Sequence, residues 1–190
     1  MYKIIDLIGE AGAGKDSLMQ AILEQRPDLH EIISCTTRPK REGEVHGVNY
    51  YYYSPEKFGD MVLNNEMLEC TVFNDWFYGT SYESVRSDCI NIGVFNPAGI
   101  EALESRGDVE LVVIWVTASQ KTRLLRQLNR EEDPDVDEIV RRYRADRLDF
   151  AEFETKAKTI VLWNEDISLH SLADSALSGL EQWMHLGNLD

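Results

Sequence analysis

Apolar and polar positions along this chain fall into short blocks that switch between the strand period and the helix period. Ile4, Ile5, Leu7 and Ile8 form an apolar run that predicts a first strand, and Leu18, Ala21, Ile22 and Gln25 follow at helical spacing. Arg26-Pro27 stops that helix, and Glu31 to Cys35 reads as a short strand. In extended backbone the four tyrosines Tyr50 to Tyr53 would alternate faces, so that two could reach a ligand and two could pack. Ser54-Pro55 reads as an N-cap and first-turn proline, opening a short helix with Phe58, Met61 and Val62 on its apolar side. Met67 to Phe73 alternates, which puts Leu68, Cys70 and Val72 on the packed face and Glu69 and Thr71 on the other.

Cys89 to Phe95 is a further strand. Leu111 to Val116 is continuously apolar, as expected of a parallel strand covered on both faces. Ser119 caps a helix carrying Leu124, Leu125 and Leu128, which the run from Glu131 to Asp135 breaks. Glu138 to Phe150 reads as a highly charged helix and Thr159 to Trp163 as the last strand. Ser168 to Leu186 is an amphipathic helix (Leu169, Leu172, Ala176, Leu177, Leu180) ended by Gly187. Strands alternating with helices predict a doubly wound α/β fold with a mostly parallel sheet. Asp6 interrupts the first apolar strand, and a buried acid there needs a partner.

The first strand and first helix are joined by Gly9-Glu10-Ala11-Gly12-Ala13-Gly14-Lys15-Asp16-Ser17. Gly, four residues, Gly, Lys is the phosphate-binding loop pattern, in the strand–loop–helix context that it requires. Glycines let backbone N–H groups curl around an anion, the helix N-terminus adds a positive dipole end, and Lys15 adds a point charge. The position after Lys15 ordinarily holds a magnesium-binding hydroxyl. Here it is Asp16, with Ser17 one residue late.

A length of 190 residues fits one domain with inserted subdomains, and 43% hydrophobic residues is a globular composition. The longest apolar run is too short to cross a bilayer. The chain enters a strand almost at once, which predicts no signal peptide. Cys35, Cys70 and Cys89 match neither a disulfide framework nor a zinc site, and the four histidines are scattered. A reducing cytoplasm is therefore expected. The net charge of −15 argues against nucleic-acid binding, and an anionic substrate would need its positive charge concentrated locally. Seven of the twelve arginines do lie between Arg123 and Arg147, and Arg38, Lys40 and Arg41 form a second knot. Interleaved acids (Glu131, Glu132, Asp133, Asp146) leave a solvated helix face as the other explanation of the first cluster.

The run Ser34-Cys35-Thr36-Thr37-Arg38-Pro39-Lys40-Arg41-Glu42-Gly43-Glu44-Val45-His46-Gly47-Val48-Asn49-Tyr50 resembles the guanylate kinase family. Its members carry Ser-x-Thr-Thr-Arg-Pro-x-Arg-x-Gly-Glu-x-x-Gly-x-x-Tyr after the same glycine loop. Tyr78-Gly79-Thr80-Ser81 extends the resemblance, which covers essentially the whole chain. It implies a single domain over residues 1–190. The nucleotide core would be 1–33, 82–125 and 151–190, the monophosphate-binding insertion 34–81, and the helical lid 126–150.

The implied reaction is transfer of the ATP γ-phosphoryl group to GMP or dGMP, with Mg²⁺ accompanying ATP. Lys15 and the loop (Gly9, Ala11, Gly12, Ala13, Gly14, Asp16, Ser17), with Asn164, would bind ATP. Arg38, Arg41, Tyr50 and Tyr78 would hold the acceptor phosphate, because the arginine fork binds phosphate oxygens bidentately. Ser34, Glu69, Thr80 and, as a further candidate, Asn96 would read guanine. A carboxylate at Glu69 accepts from the N1–H and N2–H₂ edge, a donor pair that adenine lacks. Arg142 and either Arg130 or Arg126 would close over the transferring group, and Arg41 and Arg130 join Lys15 and Arg142 as catalytic candidates.

Two departures stand out. The family's paired acids before a glycine fall here on Val94 and Asn96, so the magnesium-side carboxylate is missing. Asp16 then either supplies the metal's oxygen ligand, directly or through water, or only favours the helix N-terminus. The lost acid keeps open an inactive, guanylate-kinase-like binding module, although such a module predicts a broken loop. A kinase of broader or modified purine monophosphates is a third reading, since Gly14-Lys15-Asp16 is reminiscent of bacteriophage deoxynucleotide kinases.

Overall fold

β1 (Tyr2–Ile8) takes up the first apolar run, and the last strand of the same five-stranded sheet is β9 (Lys158–Trp163). The computed structural model describes residues 1–41, 43–73, 75–130, 132–151 and 153–186. Between β1 and β9 come α1 (Lys15–Gln25), β2 (His30–Glu31), β3 (Cys35–Thr36), β4 (Tyr51–Tyr52), α2 (Pro55–Leu63), β5 (Met67–Phe73) and β6 (Trp76–Ser81). β7 (Ile90–Gly93), α3 (Pro97–Glu104), β8 (Val109–Thr117), α4 (Gln120–Leu128) and α5 (Val136–Asp149) follow, and α6 (Leu169–Leu186) comes after β9. The main sheet has the order β2-β7-β1-β8-β9, with β2–β7 and β8–β9 paired in parallel. This is the mostly parallel α/β architecture that the alternation predicts. Glu131 and Gly187, expected to break α4 and to end α6, lie outside the described residues.

The chain divides into two compact units. The first comprises residues 1–5 and 28–111. It holds a second sheet of order β4-β3-β6-β5, in which β3–β4 is parallel and β3–β6 and β5–β6 are antiparallel. Cys35, Phe58 and Met61 form its small apolar core. Ser54 caps α2 by accepting from the Lys57 N–H at 3.2 Å, with Pro55 in the first turn. Tyr51 and Tyr53 pack on that core while Tyr50 and Tyr52 lie near Arg38, so the four tyrosines divide as the strand period predicts.

Three expectations in this unit fail for tertiary reasons. Glu31 to Cys35 is not one strand: β2 pairs with β7 and β3 with β4 and β6, so the chain changes sheets between them. In β5 the alternation is broken by a register shift between Met67 and Glu69. Leu68 and Glu69 are both buried, whereas Cys70 and Val72, expected on the packed face, are exposed, Val72 at 63%. In α2, Val62 is also exposed, leaving Phe58 and Met61 as the packed side.

The second unit comprises residues 6–27 and those from 112 onward. α1 buries Leu18, Met19 and Ile22 and packs on α6, whose Leu172, Ala176 and Leu180 are buried. Val112, Val113 and Ile114 are consecutive and fully buried, as a strand covered on both faces requires. Ser119 caps α4 through its hydroxyl and the Thr122 N–H. The residue that α4 buries is Arg123, while Leu125 and Leu128 are exposed. Asp6 is fully buried in β1 and is engaged by an interaction within the fold.

Candidate active site

The glycine loop opens α1 with a sharp left-handed turn. Gly14 is the helix N-cap at φ 99°, and a Cβ there would run into the Asn164 amide. Gly12, at φ 80°, lies against the Arg123 backbone with no room for a side chain. Lys15 folds back over the loop, and its Nζ donates to the Gly9 carbonyl at 2.6 Å and the Glu10 carbonyl at 3.4 Å. Asp16 and Ser17 are exposed in the first turn of α1, where a carboxylate is favoured by the helix dipole.

Residues far along the chain brace this loop. Gln127 Nε2 donates to the Ala11 carbonyl at 3.3 Å. Arg126 donates to the Gly12 and Ala13 carbonyls, each at 3.4 Å, and to the Asn164 carbonyl at 3.0 Å. Asn164 Nδ2 donates to the Ala13 carbonyl at 2.8 Å. Arg123, at 5% exposure, pairs with Glu10 at 3.0 Å. The Ala11 N–H donates to the Asp146 carboxylate at 2.6 Å. Several of its carbonyls are tied to side chains, and the Ala13 N–H donates to the Glu10 carbonyl at 3.1 Å, so the loop keeps a fixed path.

The arginine cluster is partly neutralised within its own elements. Arg142 donates to Glu138 at 2.7 Å and Arg141 to the same carboxylate at 2.6 Å. Arg141 first, then Arg142, hold the Glu138 carboxyl down at about 2. Arg130 is exposed just beyond α4, and Arg126 is the earlier arginine that touches the loop. Glu165 accepts from the hydroxyls of Thr122 and Ser119 at 2.6 and 2.7 Å and secures the start of α4.

In the first unit, Arg38 is 4% exposed and donates to Glu44 through both terminal nitrogens, at 3.0 and 2.8 Å. Burial would lower the Arg38 pKa, but Glu44 outweighs it and the guanidinium is held firmly charged. Burial likewise raises Glu44, and Arg38 with the Arg41 N–H overcomes that and brings it to about 2. The Arg38 guanidinium stands 5.5 Å from the Tyr50 ring centroid, and the Tyr50 and Tyr78 rings meet edge-on at 6.1 Å. Arg41 is exposed, with its backbone N–H on Glu44. Sequence reasoning named Arg38, Arg41, Tyr50 and Tyr78 but not the role of Glu44, which orients Arg38.

On the same sheet, Glu69 of β5 pairs across to Thr80 of β6. Glu69 is 8% exposed, Thr80 is fully buried, and the Thr80 hydroxyl has no hydrogen-bond partner among the described residues. Burial drives the Glu69 carboxyl up to about 7, with the adjacent Thr80 pulling it partly back. No cation pairs with Glu69 among the described residues. A buried acceptor beside a buried hydroxyl suits a ligand that brings its own N–H donors. Ser34 precedes β3, and its carbonyl accepts from the Tyr51 N–H. Asn96 has both ends of its amide engaged: Oδ1 caps α3 at the Gly99 N–H, 2.7 Å, and Nδ2 donates to Thr71 Oγ1 at 3.1 Å.

The bracing roles of Glu10, Glu44, Arg123, Gln127 and Asp146 escape sequence reasoning, although Glu10 lies in the glycine loop, Glu44 in the Ser34–Tyr50 run, and Arg123 and Asp146 in the charged cluster. Glu44 acts locally, on Arg38 and the Arg41 N–H, but the bonds that the others make to the loop join segments far apart in the chain, which no spacing marks.

Comparisons with known proteins bear on the family and the fold. The guanylate kinase family model matches residues 1–177. Over 83 residues the chain is 43% identical to a guanylate kinase of Nostoc, covering 44% of this chain and 42% of that relative. That match spans less than half the relative's length. The guanylate kinase of Chlamydia muridarum is 31% identical over 174 residues, covering 87% of this chain and 82% of the relative. The crystal structure of guanylate kinase from Anaplasma phagocytophilum shares the fold, with a TM-score of 0.69 at 21% identity over 96% of this chain and 86% of that one. With a family match over nearly its whole length, and with the glycine loop and the Ser34–Tyr50 run in place, the chain belongs to the guanylate kinase family.

Proposed function

We propose that this protein transfers the γ-phosphoryl group of ATP to the phosphate of GMP or dGMP. An oxygen of the acceptor monophosphate attacks the γ-phosphorus, the bond to the β-phosphate oxygen breaks, and ADP leaves with that electron pair. No covalent enzyme intermediate is needed, so catalysis is positioning plus neutralisation of charge. Lys15 and the loop amides hold the ATP phosphates, with Asn164 and Arg126 beside them. Arg130 and Arg142 belong to a lid that closes over the transferring group and excludes water. Arg38, Arg41, Tyr50 and Tyr78 hold the acceptor phosphate, and Ser34, Glu69 and Thr80 read the base. Asn96 contributes to the base end through Thr71 and the α3 cap.

Mg²⁺ bound with ATP supplies charge neutralisation. Asp16, exposed in the first turn of α1, offers the hard oxygen that Mg²⁺ prefers, directly or through water. The free thiols Cys35, Cys70 and Cys89 fit a cytoplasmic setting.

The buried Glu69 carboxylate beside Thr80 is the observation that carries the guanine assignment. Guanine presents two adjacent N–H donors to it, whereas adenine presents an unprotonated N1 that would face the carboxylate lone pairs. A coupled ADP-release assay against ribo- and deoxyribonucleoside monophosphates tests this. Turnover is expected with GMP and dGMP and not with AMP, CMP or UMP. Equal turnover of AMP and GMP would overturn the base assignment.

A further inference from the structure

The loop amide at Ala11 is already occupied by an anion. Asp146 Oδ2 accepts from the Ala11 N–H at 2.6 Å, a short charge-assisted hydrogen bond across 135 residues of sequence. The next peptide along is held by Gln127, which donates to the Ala11 carbonyl. A carboxylate oxygen there stands in for a phosphate oxygen, since both are anionic and accept only.

Local helix energetics does not account for an acid at this place. Asp146 lies in the last turn of α5, where the helix dipole disfavours negative charge. Asp149, three residues on, is a like charge on the same face; burial first, then Asp146, raises its pKa. These local costs are offset by the bond to the loop.

We propose that Asp146 is a built-in competitor for the ATP phosphates. Without nucleotide, its carboxylate occupies the Ala11 amide and ties α5 to the loop; ATP binds by exchanging a phosphate oxygen for that carboxylate. The residue thereby sets ATP affinity, and its return to Ala11 helps displace product ADP. The inference rests on the reading of the glycine loop as the ATP phosphate site.

The test uses the full chain with Asp146→Asn and Asp146→Ala, and inorganic pyrophosphate as the probe. Calorimetry should show pyrophosphate binding about 3- to 10-fold tighter to Asp146→Ala than to wild type, with Asp146→Asn between, because removing a competing internal state raises apparent affinity. KM for ATP should fall in the same order while KM for GMP stays unchanged, a split that general damage to the fold would not produce. In wild type, the Ala11 amide proton should resonate downfield before any ligand is added, and Asp146→Ala should abolish that shift. Equal or weaker pyrophosphate binding by the variants would overturn the inference. Pyrophosphate binding to none of the three proteins would instead remove the phosphate-site reading beneath it. Should either variant fail to fold, the wild-type resonance decides: an Ala11 amide at an ordinary shift in the free protein rules the proposal out.

Discussion

Two buried regions, one in each unit, treat charge in opposite ways, while the Arg38–Glu44 pair of the first unit is matched internally like the second region. In the first, Glu69 is buried on a strand with no cation beside it among the described residues, and its carboxyl is raised to about 7. In the second, polar groups of the glycine loop and of α5 are matched internally: Arg123 by Glu10, Arg142 by Glu138, Lys15 by loop carbonyls, and the Ala11 amide by Asp146. An unmatched buried group waits for a ligand of fixed chemistry, which is how specificity is built. A matched set must exchange partners to admit a ligand, which suits a site that opens and closes. The base-reading end is therefore expected to be preformed and the loop end to rearrange.

The largest effect should come from Lys15. Lys15→Met removes the point charge at the loop, and kcat/KM in the ADP-release assay should drop about 10²–10³-fold, the usual cost of losing one preorganised charge stabiliser. Activity within threefold of wild type would break the assignment of the loop to ATP phosphates.

Next comes Glu69→Gln, which leaves a mismatched donor facing the base. The expected loss is about 1–3 kcal/mol in transition-state binding for GMP and dGMP alike. The pH profile sharpens the point. The folded carboxyl titrates near 7, against an ordinary value of 4.5. Base recognition needs the ionised form, so KM for GMP should rise as pH falls below about 7, and the Gln variant should lose that dependence. Stability of the ligand-free protein should move the other way. Between 4.5 and about 7 the folded state holds a proton that the unfolded state has released, so this group favours folding more as pH falls through that window. Thermal melts of wild type against Glu69→Gln across the window measure the difference, and parallel curves would contradict the raised pKa.

Asp16 separates two roles at the loop end. A metal role predicts a large kcat loss for Asp16→Asn, partial recovery for Asp16→Ser, and a higher Mg²⁺ concentration at half-maximal rate. A helix-terminus role predicts only about 0.3–1 kcal/mol of stability loss and an unchanged Mg²⁺ requirement. Wild-type magnesium dependence in both variants would leave the missing Val94 carboxylate uncompensated.

The smallest change tests the comparison itself. Hydrogen exchange over β5 and β6 should hardly respond to GMP, because that surface is already formed. An ATP–GMP bisubstrate analogue should slow exchange over residues 126–150, where Arg142 and Asp146 change partners. Equal protection of both segments would erase the contrast between a preformed end and a rearranging one.

Much of this molecule was legible in the sequence. The strand–loop–helix around Gly9 to Lys15 could be read directly, and so could the caps at Ser54 and Ser119 and the division of Tyr50 to Tyr53. Each depends on backbone period or on hydrogen bonds within one turn, which neighbouring residues encode. The Ser34–Tyr50 run could be recognised for the same reason: its pattern is contiguous. Only the tertiary structure decided the rest. A register shift in β5 buried Glu69 and turned Cys70 and Val72 outward, reversing the face that simple alternation assigned. α4 buried Arg123 instead of its leucines because Glu10, more than 100 residues earlier, supplied the opposite charge. The Ala11 amide found Asp146 at a separation of 135 residues. Periodicity and capping are local energies and can be read along the chain. Ion pairing and desolvation depend on which distant groups the fold brings within a few ångströms, and no spacing in a single sequence records that distance.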